Sequence, residues 1–180
     1  MVYLFLANGF EEIEALLPLD LLRRGGVEVT TLAVGGADFA VGSHGVRVGA
    51  DLPEELFRDG APEAVILPGG MPGAKNLDAS KTVSAALRAC EKNGGLLCAI
   101  CAAPFVLGRR GYLAGKEAIC YPGFEGELAG ATLSQKRVVR DGNVITAAGM
   151  GVAMEFGLEI LAALRGKETA EKVKKAILAD

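Results

Sequence analysis

The stretch Gly94-Gly95-Leu96-Leu97-Cys98-Ala99-Ile100-Cys101-Ala102-Ala103-Pro104 constrains the fold more than any other part of the chain. A short apolar run that follows a glycine pair predicts a strand covered on both faces. Pro104 predicts the first turn of a helix, where no backbone N–H is needed. Cys101 then falls on the corner between strand and helix, outside the carboxyl end of a sheet. The free N–H groups of a helix start favour a thiolate there, so this is a place for a nucleophile. A buried structural cysteine is the alternative, because free cysteine is among the most buried residue types.

At 180 residues the chain is long enough for one domain with a full core, expected over residues 1–180. A hydrophobic content of 51% with 25 glycines suits a covered α/β sheet with many turns. The formal net charge of −3, without a basic run, argues against nucleic acid as a partner. Val2 to Ala7 is apolar but lacks a basic flank and meets Glu11, Glu12 and Glu14 almost at once, so a strand is expected there rather than a signal peptide. No run approaches a membrane span, and a cytoplasmic protein with reduced cysteines is expected.

Cys98 and Cys101 form a CxxC. On an extended strand an odd separation points the two side chains to opposite faces, too far apart for a disulfide. Zinc would need further Cys or His ligands nearby, and the chain has one histidine. No metal is expected. Cys90 falls on the helical stripe Val83, Ala86, Leu87, Cys90 and reads as core. Cys120 has no functional assignment from sequence.

In chain order, a first strand over Val2 to Ala7 precedes a helix over Glu11 to Arg24 that is kinked at Pro18 and ended by Gly25-Gly26. Ile13, Leu16, Leu17 and Leu21 are expected on its buried face, and Glu11 and Glu12 in solvent. Glu14 falls at the margin of the buried stripe, partly desolvated, at the sheet end where open α/β folds bind ligands. A strand over Val27 to Val34 is followed by a β excursion over Gly35 to Ala50 that contains Ser43-His44-Gly45. A short helix is expected over Pro53 to Arg58. Strand Ala64 to Leu67 runs into Pro68-Gly69-Gly70-Met71-Pro72-Gly73, whose glycines let backbone N–H groups approach a ligand. Helices are expected over Ser80 to Asn93, Phe105 to Arg110, Val152 to Leu164 and Glu168 to Leu178. A strand is expected over Lys116 to Cys120, and a hairpin about Asp141-Gly142. The alternation predicts a doubly wound, mainly parallel sheet.

Gly9-Phe10-Glu11-Glu12-Ile13-Glu14, Leu67-Pro68-Gly69-Gly70 and Ala99-Ile100-Cys101-Ala102-Ala103-Pro104 stand in order after three strands. Together with Asn76-Leu77, Arg137-Val138-Val139 and the Gly149-x-Gly151 turn, they resemble the DJ-1/ThiJ/PfpI superfamily, with the fold of class I glutamine amidotransferases. The resemblance implies a flavodoxin-like three-layer α/β/α sandwich with a nucleophile elbow, usually a homodimer. It implies Cys101 as nucleophile, Glu14 as its carboxyl partner, and the Gly70 and Ala102 N–H groups as oxyanion donors. A desolvated carboxyl beside a thiolate keeps its proton, and its hydrogen bond stabilises the sulfur anion.

Departures from the family pattern narrow the function. Ala102 stands where the protease-like branch has histidine, and Cys120-Tyr121-Pro122 where the vertebrate-like branch has one. Peptidase or amidase chemistry therefore lacks its base and leaving-group acid. Tyr121 resembles the aromatic position of bacterial ThiJ-like members. His44 stands where relatives have an arginine beside the pocket, so it could bind a substrate anion or be an exposed loop residue. Arg24 matches an arginine that reaches the partner subunit's pocket, or is a helix C-terminal cation. The resemblance implies cofactor-independent glyoxalase or deglycase chemistry on methylglyoxal-like 2-oxoaldehydes, or on glycated thiols and amines. The alternative is a redox sensor or redox-regulated chaperone acting through the same cysteine.

Overall fold

The computed structural model describes residues 1–58 and 60–179. The expected extent, 1–180, includes Asp59 and Asp180, which lie outside the described residues. The strands are β1 (Val2–Ala7), β2 (Val29–Val34), β3 (Phe39–Val41), β4 (Arg47–Gly49), β5 (Leu52–Pro53), β6 (Ala64–Leu67), β7 (Leu96–Ile100), β8 (Glu117–Ala118), β9 (Thr132–Leu133), β10 (Val138–Asp141) and β11 (Val144–Ala147). The helices are α1 (Glu12–Arg24), α2 (Gly73–Ala79), α3 (Lys81–Lys92), α4 (Pro104–Gly108), α5 (Ala153–Arg165) and α6 (Lys167–Ala176).

Seven strands form the main sheet in the order β10-β11-β7-β6-β1-β2-β5. All neighbours are parallel except β10 and β11, which pair as the hairpin. Helices cover both faces, because each parallel strand is apolar on both. On β1, Val2, Leu4 and Leu6 pack with α1, α5 and α6, whereas Phe5 and Ala7 pack with α2, α3 and α4. On β7, Leu96, Cys98 and Ile100 join the first core, and Leu97 and Ala99 the second. This is the expected flavodoxin-like α/β sandwich, and it gathers the carboxyl ends of β1, β6 and β7 at one edge.

Several local expectations need correction. On α1 the buried residues are Glu12, Glu14, Ala15, Pro18, Leu21 and Leu22, while Ile13 is 45% exposed and Leu16 and Leu17 are half-buried. Helix α1 has thus turned its acidic positions 12 and 14 inward. Pro18 does fall inside the helix, as expected. Gly73, read as the end of the loop, begins α2, which continues through residues without an expected element, and the helix expected over Pro53 to Arg58 is a 3-10 turn at Glu54–Leu56. The expected strand at 116–120 shrinks to β8, which pairs in parallel with β9.

Candidate active site

Three segments meet at the carboxyl edge. The elbow places Cys101 at φ 63°, a left-handed conformation that L-residues with a Cβ rarely adopt. It is held by backbone bonds on both sides. Cys101 N–H donates to Ala147 O at 2.9 Å, and Tyr121 N–H donates to Cys101 O at 2.7 Å. The strand ends at Ile100, so the strict alternation assumed for Cys98 and Cys101 does not reach the second thiol. Cys98 is buried in the core and Cys101 packs at the edge of that same core, and both are free thiols. The expectation that the two side chains point to opposite faces is thus corrected, since both touch one core.

Glu14, completely buried in the first turn of α1, points its carboxyl at this corner. Gly69 N–H donates to Oε2 at 2.9 Å. Oε1 finds no backbone or hydroxyl donor among the described residues; the group beside the carboxyl is the Cys101 thiol. Gly69 has to be glycine, since a Cβ there would stand 2.6 Å from Glu14 Oε2 and 2.7 Å from Cys101 Cβ. Gly70 adopts φ 82° with no space for a side chain against Glu11 N and Gly9 O, which leaves its N–H free to turn toward the thiol.

The electrostatics follow from this packing. Burial raises the Glu14 carboxyl from 4.5 to about 7, against the lowering effect of the Cys101 thiol and the Gly69 N–H. Burial also pushes the Cys101 thiol up to about 12, helped by an ionised Glu14, while the N–H groups of Ala102 and Gly70 act the other way. The sulfur is therefore not a standing thiolate as long as Glu14 is charged. When Glu14 holds a proton, its repulsion vanishes and its O–H donates to sulfur, so the two groups titrate as one unit. Helix α4 spans only Pro104–Gly108, so local N–H groups, more than a long helix dipole, face the sulfur. Burial holds the other thiols up as well: Cys90 to about 12, Cys120 to about 11, and Cys98 well above its usual range.

The structure thus brings together Cys101, Glu14, Gly70 and Ala102. The remaining expected residues lie differently. Tyr121 is 51% exposed, and its ring lies 3.3 Å from where a Cβ on Gly149 would be, itself 4.0 Å from Cys101 Sγ. An apolar cavity of about 430 Å³ opens here, lined by Tyr121, Pro122, Met150 and Val152 among others. Arg24 pairs with Asp20 at 2.6 Å on the exposed face of α1. His44 Nδ1 lies 2.8 Å from Glu12 Oε2. Glu11, Glu12 and His44 offer ligand atoms within 4.8 Å of one another, but Glu12 and His44 are committed to each other. Sequence reasoning missed Gly69 as the partner of Glu14, and it placed Glu12 in solvent.

A mainly parallel sheet covered on both faces, with a left-handed cysteine at the end of a central strand and a buried carboxyl beside it, defines a nucleophile-elbow α/β protein. The chain belongs to the DJ-1/PfpI family, whose sequence profile matches residues 1–163. It is 38% identical over 175 residues to protein dj-1beta of Drosophila melanogaster, covering 96% of this chain and 94% of the fly protein. It is 32% identical to the glutathione-independent glyoxalase DJR-1.2 of Caenorhabditis elegans, over 93% of this chain and 89% of the worm protein. The structure of oxidized DJ-1 from Toxoplasma gondii superposes with a TM-score of 0.94 at 34% identity, covering 98% and 97% of the two chains.

Proposed function

We propose that the protein converts small 2-oxoaldehydes such as methylglyoxal to 2-hydroxy acids without cofactor or glutathione. The observation that carries this reading is the buried Glu14 carboxyl, which has an uncommitted oxygen beside the Cys101 thiol and titrates near 7. Such a group serves as acid and base in turn at neutral pH. Cys101 Sγ adds to the aldehyde carbon, and the resulting oxyanion is held by the Gly70 and Ala102 N–H groups and protonated by Glu14. The hemithioacetal's C1 proton then passes to Glu14 and on to C2, while the C1 hydroxyl proton moves to the C2 oxygen through the enediol, which turns the adduct into the thioester of a 2-hydroxy acid. Water cleaves the C–S bond, releasing the acid and the thiol. Carbon is oxidised at C1 and reduced at C2, so no external redox partner is needed. The name of the worm relative supports this reading.

The same hemithioacetal step gives access to glycated thiols and amines, the deglycase form of the activity. The protein works in the cytoplasm, as one domain and as a homodimer. The exposed apolar side chains Ile13 on α1, Met154 on α5 and Met150 in the turn before α5 support the dimer, since α1 and α5 pack on each other. A second reading, a redox sensor in which peroxide oxidises Cys101 to sulfinate and is itself reduced to water, has support in the oxidized form of the Toxoplasma relative. The test is lactate formation from methylglyoxal, without glutathione, by wild type beside Cys101→Ser. Turnover by wild type alone is expected; a folded wild type that makes no lactate leaves the sensor reading in its place.

A further inference from the structure

The proposed chemistry leaves one buried carboxylate without a task. Glu12 is 6% exposed, and it faces away from Cys101 toward the turn between β3 and β4. Its Oε1 accepts the His44 backbone N–H at 2.8 Å; its Oε2 lies 2.8 Å from His44 Nδ1 and accepts from Ser43 Oγ at 3.4 Å. Gly42 lies so close that a Cβ would collide with the Glu12 carboxylate. Burial works to raise the Glu12 carboxyl, yet the His44 ring and backbone N–H bring it down to about 2. The charged groups facing the pair are each other and Glu11.

What this clasp holds matters because the backbone beneath it is stacked in layers. The β3–β4 turn is tied to the loop after β1: Ser43 N–H donates to Phe10 O at 2.7 Å, and Gly9 N–H donates to Val41 O at 2.8 Å. That loop is tied in turn to the strip after β6: Glu11 N–H donates to Gly69 O at 3.0 Å, and Gly73 N–H donates to Gly9 O at 3.2 Å. Gly69 then donates to Glu14, and Gly70 faces the thiol. Packing between the loop and the strip leaves no slack. A Cβ on Gly9 would stand 2.5 Å from Pro72 Cδ, and one on Gly70 would meet Glu11 N. A shift of residues 8–11 is therefore passed directly to Gly69 and Gly70.

We propose that Glu12 and His44 are positioning residues, a clasp between the β3–β4 turn and the start of α1 that fixes the Gly69-Gly70 strip and the Glu14 carboxyl against Cys101. This rests on Cys101 and Glu14 acting as a reactive pair, but not on turnover of any aldehyde. The clasp is a side-chain contact between residues 32 positions apart, and one partner is reachable by mutation without disturbing the core, since the His44 side chain is 73% exposed.

The experiment is the rate of iodoacetamide alkylation of Cys101 across pH 5 to 9, followed by intact mass, for wild type, His44→Ala, His44→Asn, Glu12→Gln and Glu14→Gln. In His44→Ala the loosened Glu14 regains water and ionises at lower pH, so the profile moves toward acid and alkylation at neutral pH slows roughly tenfold. His44→Asn, whose side-chain N–H takes the place of Nδ1–H, restores most of the wild-type profile. A His44→Ala profile identical to wild type overturns the clasp, and so do alanine and asparagine variants that behave alike. Should Glu12→Gln fail to fold, the two His44 variants decide. If Glu14→Gln leaves the wild-type profile unchanged, the reactive pair itself fails, and the clasp with it.

Discussion

Replacing Glu14 by Gln removes a titration that the fold holds far from its ordinary position. In the unfolded chain the carboxyl ionises near 4.5, and in the folded protein near 7, because burial penalises the charge. Between these values the folded state binds more protons than the unfolded one, so stability falls as pH rises. The cost is absent below about pH 4.5 and complete once pH has risen past the folded value. A shift of this size corresponds to about 3 kcal/mol. Glutamine keeps an oxygen to accept from Gly69 N–H and cannot ionise, so the variant escapes this cost. Urea unfolding of both proteins at pH 5 and pH 8 reads the difference; circular dichroism is the suitable signal, since the chain has no tryptophan. The stability of Glu14→Gln relative to wild type should rise by about 2.5 kcal/mol between the two pH values, since a small part of the cost is already present at pH 5, a relative midpoint change of about 1 to 2 M urea. A relative stability that is the same at both pH values would refute a buried, raised Glu14.

The remaining expectations concern the same corner. Gly69→Ala drives a methyl against Glu14 Oε2 and Cys101 Cβ, and should cost about 2 kcal/mol of stability together with nearly all turnover. Urea unfolding and lactate assay check this, and a stable, active variant would contradict the close approach. Under native conditions one of the four cysteines should react with iodoacetamide far ahead of the rest, because Cys90, Cys98 and Cys120 are buried. Mass analysis after peptide digestion should place that label on Cys101, and prior labelling of any other cysteine would count against the site.

The covered strands and the elbow were legible because their determinants are local. β6 and β7 are apolar runs closed by glycine and proline, and Cys101 sits where the run stops. The motif after β1 marked Glu14. The face of α1 was misread for a non-local reason: Glu12 is claimed by His44, 32 residues away, and the β3–β4 turn that carries His44 covers its carboxylate. Ile13 takes the outward place that periodicity gives to a charge. Helix α2 was missed because it begins at a glycine, lasts 7 residues and carries no apolar stripe long enough to read. Strands β8 and β9 are 2 residues each and exist through their mutual register. The thiol's protonation was only half legible. A cysteine before a helix suggests a stable thiolate, but the burial that makes Glu14 useful also raises the sulfur, and the balance depends on which of the two holds the proton.

The most direct measurement is the glutathione-independent conversion of methylglyoxal to lactate by wild type, Cys101→Ser, Glu14→Gln and the double variant. If the thiol and the carboxyl act as one unit, each single variant loses about as much kcat/KM as the double variant does. Turnover that persists in Cys101→Ser, or losses that multiply as for independent residues, would contradict the paired mechanism.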